Sequence, residues 1–353
     1  MIRKQGEGLT EEEQMRYSRQ IRFAPIGEEG QLKLRQSRVA IVGAGALGSA
    51  LANHMVRAGV GYVRIVDRDF VEMSNLQRQM LFDEEDAQKM TPKAIAAAEK
   101  LTAINSSVQI EPHVADITWQ NAEELLTGVD LILDGTDNFS IRYLINDVSV
   151  KYGIPYAYGG IIGAAGTSAL FIPGKTPCLA CLFPDPPLPG STETCDTAGV
   201  IGPIIHLITA IQATEALKYL VGDHQQLSGQ LTHVDLWNNH FIRLQIADKT
   251  APDCPVCVQR RFRFLEEQEA TSLETVLCGR NTIQIRPAQP LNYDLDELAR
   301  RLAPHGRIEQ NRFLVRLHLK NHSLVLFRDG RVLIQGTDDL VTARRLYAQY
   351  IGT

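Results

Sequence analysis

Apolar residues along this chain gather in short unbroken runs that alternate with stretches carrying apolar positions every three or four residues. The first pattern predicts buried strands, the second helices packed along one side. SRVAIVGAG (37–45) reads as a strand entering a turn, GSALANHMVRAG (48–59) as a helix stopped by Gly59, and YVRIVDRD (62–69) as a second strand. These make one strand–helix–strand unit of about thirty residues, the usual size of that motif. Ahead of it, residues 9–22 suit a helix capped by Thr10, with Glu13 three residues on. Beyond it, 89–105 reads as a helix with Pro92 in its first turn. Strands follow at VQIEPHVAD, VDLILDGTDN (129–138), IPYAYGGIIG and TSALFIPG, with YLINDVSVKYG helical among them. Residues 201–222 predict a long apolar helix buried on most sides, and 231–246 a pair of strands or one bent strand. The alternation predicts an α/β fold: a doubly wound, mostly parallel sheet with helices on both faces.

Around residues 258–274 the pattern dissolves into charge, which marks a boundary. The expected division is a domain over 1–258 with an N-terminal helical arm, a linker over 259–274 and a small α+β domain over 275–353. The last reads as a strand, a helix, three short strands and a final helix. Asp329-Gly330 sits between two apolar runs, as in a hairpin turn.

Composition changes this picture little. The 353 residues are 44% hydrophobic and 22% charged, ordinary for a globular protein with a core large enough to need no disulfides. A net charge of -5 offers nothing to attract nucleic acid or an anionic membrane. The Glu-rich N-terminus lacks the apolar core of a signal peptide, and no window approaches the unbroken apolar length of a membrane span. The expected compartment is therefore cytoplasmic.

The candidate chemistry starts at the first turn. Gly43, Gly45 and Gly48 have the G-x-G-x-x-G spacing of a Rossmann-like nucleotide turn, which lets backbone N–H groups approach a phosphate. Asp67 follows where an acid would accept ribose hydroxyls. On these residues alone an NAD(P)-dependent oxidoreductase fits as well as an ATP enzyme. The run DRDFVEMSNLQRQMLF (67–82) favours ATP, because Asp67, Asp69, Asn75, Gln77, Arg78 and Gln79 crowd one rim and Lys93 follows at a helix start. Arginine and lysine suit a triphosphate, which carries more charge than a pyrophosphate. ILDGTDN brings Asp134 and Asp137 to the carboxyl end of another strand, where a carboxylate can hold Mg2+ against phosphates. There is no P-loop, since Ala169 stands where GKT (174–176) would need a glycine.

Six cysteines need explaining. Cys178-x-x-Cys181 and Cys254-x-x-Cys257 supply four thiolates, a closed set for a structural Zn2+, with a redox pair as the rival reading. Cys195 lies in a loop-like stretch before the long apolar helix, where a thiolate is favoured, and reads either as a reactive thiol or as a cysteine with no chemical task. Cys278 reads as a packed small residue. His113, His206 and His233 have no ligand spacing and read as structural.

RYSRQI (16–21), GAGALG (43–48), DRD (67–69), SNLQRQ (74–79), PK (92–93), GTDN (135–138) and the paired CxxC motifs together resemble the MoeB/ThiF/HesA family, bacterial relatives of ubiquitin-activating enzymes. The C-terminal segment, with LCGRNTIQIRP, resembles the tail of ThiF-type adenylyltransferases of Gram-positive bacteria. The resemblance implies adenylation, with ATP and Mg2+, of the C-terminal Gly-Gly carboxylate of a ubiquitin-like sulfur-carrier protein, preparing it for thiocarboxylate formation. A ThiS-type carrier of thiamine thiazole synthesis is preferred, and a MoaD-type carrier of molybdopterin synthesis is the alternative. The resemblance also implies a homodimer and a sulfur donor enzyme. It places Asp67 on the ribose, Ala46 against the nucleotide through its backbone, and Ser74, Asn75, Arg78 and Lys93 on phosphates or ribose. Asp137 would ligate Mg2+ with Asn138 beside the nucleotide, and Arg19 would reach the phosphates from the other subunit. Cys195 would link to the carrier's C-terminus during sulfur transfer. A scaffold that has lost turnover is the remaining alternative, and Arg19, Arg78, Lys93 and Asp137 argue against it.

Overall fold

The computed structural model describes residues 8–186, 198–266, 274–277, 281–287 and 291–352. Eight strands make the larger sheet: β1 (Arg38–Val42), β2 (Tyr62–Asp67), β3 (Gln109–Val114), β4 (Leu131–Asp134), β5 (Tyr156–Ile162), β6 (Ala165–Phe171), β7 (Gln230–Asp235) and β8 (His240–Gln245). Their order is β3-β2-β1-β4-β5-β6-β7-β8. The five strands from β3 to β5 are parallel. From β5 onward every pairing is antiparallel, so the sheet is mostly parallel, as the sequence predicts, but has an antiparallel end. The reason is local. β5 and β6 are joined by a tight turn with Gly163 at φ 60°, too short for the crossover a parallel pair requires.

Side-chain alternation along β1 explains the double winding. Val39 and Ile41 enter one apolar cluster with Leu34, Leu51, Met55, Ala97 and Ala216, from the helices Gly27–Gln36, Ala46–Ala58, Lys93–Ile104 and Gly202–Val221. Ala40 and Val42 enter another with Leu125, Tyr143 and Ile145, from Ala122–Leu126 and Phe139–Tyr152. Each fully buried Leu, Ile or Met contributes roughly 1.5–3 kcal/mol.

Several elements differ from expectation. The N-terminal helix breaks at Tyr17 into Glu11–Arg16, with the Thr10/Glu13 capping box formed, and Ser18–Ile21. Tyr17 is buried, and its hydroxyl accepts from Asn105 Nδ2 at 2.8 Å. Pro92 precedes the helix Lys93–Ile104 as its N-cap residue instead of lying in its first turn. Gly27–Gln36 is a helix that apolar periodicity does not reveal, because it buries Gln31, whose amide donates to Ala58 O at 2.9 Å. Of the two readings of 231–246, the pair of strands holds: β7–β8 is a hairpin, turned through Asn239 in the left-handed region at φ 55°. The helix Gly202–Val221 does have the length and apolar content of a membrane span, against expectation. It packs on β5 and β6, and 56% of its apolar window is buried, as in a core helix.

A second sheet contains β9 (Glu274–Leu277), β10 (Thr282–Ile285), β11 (Arg307–Gln310), β12 (Leu314–His318), β13 (Ser323–Phe327) and β14 (Val332–Gln335), ordered β11-β12-β13-β14-β10-β9 and antiparallel throughout. That is two strands more than the sequence pattern announces: the one strand read near 275–287 is the antiparallel pair β9–β10, and β11 is new. One face packs on the helices Leu295–Leu302 and Leu340–Tyr350 through Leu298, Leu302 and Leu346. The opposite face sets Leu314, Val325, Phe327 and Leu333 against Phe70 and Met90 of the first unit.

Candidate functional site

Neighbouring parallel strands β1 and β4 carry their following loops to the same end of the sheet, where the strand order reverses. Such a switch point opens a crevice. The Gly43 N–H donates to Val66 O and the Gly135 N–H to Val42 O, both at 2.8 Å. A Cβ on Gly48 would fall 1.7 Å from Gly43 O, and one on Gly135 2.5 Å from Gly48 Cα. Gly43 itself has φ 85°. These contacts explain why the turn and the GTDN loop demand glycine. Gly45 caps the helix Ala46–Ala58 without a side chain, so the first-turn N–H groups, starting at Ala46, have no side-chain acceptor. That is a ready anion site.

Asp67 ends β2 and is buried, accepting from the N–H groups of Ala44 at 2.6 Å and Asp69 at 2.7 Å. Burial pushes its carboxyl above the ordinary range, against the pull of Lys93 and the two N–H donors. Lys93 is buried with Nζ 3.5 Å from Asp69 Oδ2, and its N–H donates to Asp69 O at 2.9 Å. Asn75 is buried in the turn Met73–Asn75 and accepts from the Glu72 N–H at 3.1 Å. Ser74 is exposed, and its carbonyl accepts from Arg78 Nη1 at 2.9 Å. Gln77 is exposed and donates to Val200 O at 3.2 Å. Gln79 is buried, its Oε1 has no hydrogen-bond partner, and its Nε2 would lie 3.8 Å from a Cβ on Gly45.

Asp137 is exposed on the GTDN loop. Asp134 is not available for a cation. It is buried, with Oδ1 accepting from the Thr136 N–H and hydroxyl at 2.8 Å each, and Oδ2 from the Tyr156 hydroxyl at 2.7 Å. Arg142, also buried, places Nε 3.3 Å from Asp134 Oδ2 and donates through Nη2 to Thr136 O at 2.8 Å. Asn138 caps the helix Phe139–Tyr152, accepting from the Ile141 N–H at 3.2 Å. Arg142 and Gln212, whose amide donates to Asp134 O at 2.9 Å, support this loop and were not singled out from the sequence. Each is one polar residue among several on its helix, so nothing local in the sequence marks it. Arg19 is exposed on Ser18–Ile21 and, among the described residues, makes no hydrogen bond or ion pair. Within one chain nothing joins it to the cluster above. Cys195 and Cys278 lie outside the described residues.

The four remaining cysteines converge, with all Sγ atoms within 4.8 Å of one another. Cys178–Cys181, Cys178–Cys254 and Cys181–Cys257 are 3.9, 3.7 and 3.4 Å apart. A tetrahedron with zinc–sulfur bonds of ~2.3 Å has edges of about 3.8 Å. So close together, the thiols cannot all ionise without a cation. The hydrogen bond with Cys181, aided by burial, holds Cys178 well above the ordinary thiol range, and burial pushes Cys257 up to about 12. A divalent metal reverses that penalty.

The ThiF family pattern matches residues 17–256. The chain belongs to the ThiF family. Within it, the sulfur carrier protein ThiS adenylyltransferase of Bacillus subtilis (strain 168) is 45% identical over 338 residues, covering 96% of this chain and 99% of that one. The sulfur carrier protein adenylyltransferase of Thermus thermophilus is 41% identical over 253 residues, covering 70% and 92%. The crystal structure of E. coli MccB superposes with a TM-score of 0.61 at 22% identity over 72% of this chain and 75% of that chain, a likeness of fold.

Proposed function

We propose that this ThiF family member adenylates the C-terminal Gly-Gly carboxylate of a ThiS-type sulfur-carrier protein, preparing it for thiocarboxylate formation. The observation that carries the reading is identity at 45% running through 96% of the chain, second sheet included, to a ThiS adenylyltransferase. In the reaction a carboxylate oxygen bonds to the α-phosphorus of ATP, and the bond to the pyrophosphate oxygen breaks. Little protein covalent chemistry is needed; positioning and charge neutralisation suffice.

The residues fit a nucleotide. The uncapped helix start after Gly45 receives phosphate, and Gln79, whose Nε2 is the atom facing that turn, supplies a donor beside it. Asp67 accepts from ribose, with Asp69 behind it, and Ser74, Asn75, Gln77, Arg78 and Lys93 line the phosphate side. Mg2+ on Asp137 would supply charge neutralisation for the triphosphate, beside Asn138. The four thiolates fit Zn2+ as a structural clip with no open position. Residues 1–258 form the adenylyltransferase domain and 275–353 the second domain. The intervening segment begins docked, since Asp147 accepts from the Phe264 N–H at 2.9 Å. A protein partner is supported by the open edge strand β8, whose Phe241, Ile242 and Leu244 are exposed alongside Trp237.

The test is pyrophosphate–ATP exchange with purified protein, Mg2+ and either a ThiS-type or a MoaD-type carrier, each with and without its terminal Gly-Gly. Exchange should require the intact ThiS-type carrier. Exchange with the MoaD-type carrier alone would move the reading to molybdopterin synthesis, and NADH binding without ATP binding would restore the oxidoreductase reading. If Arg19 acts across a homodimer, R19A and D137A chains should each be inactive but recover about a quarter to half of wild-type exchange when mixed. No recovery in verified mixed dimers would place Arg19 outside the site.

A further inference from the structure

The second sheet grips the loop that carries Asp67 and Asp69. Arg331, only 2% exposed, donates through Nη2 to Arg68 O at 2.6 Å and lies over the Phe327 ring, 3.8 Å from its centroid. Arg68 is the residue between the two aspartates. Its guanidinium reaches Asp116 at 3.0 Å and Asp69 at 3.8 Å. Asp116 is buried and is held from the other side by Arg286 and by Gln284 Nε2 at 3.0 Å. Burial alone would raise the Asp116 carboxyl, but Arg68, Arg286 and Arg331 outweigh it and hold it below its ordinary range. Two further side chains of the second unit flank the site. Gln335 Nε2 lies 3.4 Å from Glu72 Oε1, and Asn311 Nδ2 donates to Lys89 O and Met90 O at 2.8 and 3.0 Å, just before Lys93.

Apolar packing of Phe70 and Met90 on β12–β14 would by itself hold the units together. Buried guanidinium and carboxylate groups cost more than apolar residues of equal volume, so their return is geometric. They fix the backbone at Arg68, and with it the two flanking acids and Lys93.

We propose that Arg331, acting through Arg68 and Asp116, is a positioning residue for the nucleotide-binding loop 67–72, which makes the second domain a fixed part of the nucleotide site. The inference rests on the adenylyltransferase reading for its substrate. The experiment uses the full-length chain and measures ATP affinity by equilibrium binding, KM for ATP and kcat in carrier-dependent exchange, and the melting temperature. R331M should raise the dissociation constant and KM for ATP about tenfold with kcat within about twofold, and R331K should recover most of the loss. Should R331M not fold, R286Q alters a partly exposed member of the same network and should raise KM about threefold. Values for ATP within about twofold of wild type in the folded variants, with or without a lowered melting temperature, would overturn the proposal. If wild-type protein binds ATP but catalyses no exchange, the adenylation reading fails by itself and the binding constants of the variants decide the positioning role.

Discussion

Replacing Asp137 by alanine is expected to lower pyrophosphate–ATP exchange about a thousandfold while leaving the melting temperature within a degree or two. The two halves of that expectation come from different carboxylates. Asp134 is the structural one, buried against Arg142, Tyr156 and Thr136, and its loss would loosen the loop. Asp137 stands three residues on, exposed at the carboxyl end of the sheet, where charge on a phosphate needs an opposing cation. Exchange and calorimetry on D137A and D134N separate the two roles. D137A with full exchange would remove Asp137 from the metal site.

Removing one of the four clustered thiols, the proposed zinc ligands, is expected to have the second large effect, on stability. Metal binding to a closed four-thiolate site is folding free energy, and its loss should cost at least about 3 kcal/mol. At ~2–4 °C per kcal/mol for a domain of this size, C254S should melt roughly 6–12 °C lower than wild type. Metal analysis should find one zinc per wild-type chain and none in C254S. An unchanged melting curve in demonstrably metal-free protein would rule out a stabilising clip. The effect should fall on the packing around Leu179 and Val256, which share an apolar cluster with the helix Phe139–Tyr152.

Much of this was legible before any coordinates. The spacing of Gly43, Gly45 and Gly48 announces a turn that only glycine can make, and the contact of Gly48 with Gly43 O shows why. Two C-x-x-C pairs announce a four-sulfur cluster because few other arrangements require that spacing. What stayed hidden is pairing across distance. Asp116, Arg286 and Arg331 belong to no sequence motif, and nothing local says that the three converge on Arg68. The helix Gly27–Gln36 stayed hidden for a related reason: its buried face includes Gly30 and Gln31, so apolar periodicity fades. The antiparallel end of the sheet depended on the short β5–β6 turn, where strand-by-strand reading records two apolar runs without their direction.

The sulfur cluster sets a clock during synthesis. Cys178 and Cys254 are separated by 76 positions. At about 5–20 residues per second, the ribosome delivers the second knuckle roughly 4–15 s after the first. For that interval Cys178 and Cys181 are a nascent vicinal dithiol, open to oxidation or to capture by the wrong metal. The helix Gly202–Val221 and the hairpin β7–β8 are translated in the same window. A metal held by all four sulfurs would therefore bind only once the intervening segments have emerged, which would make its uptake a late step in assembly of this half of the chain.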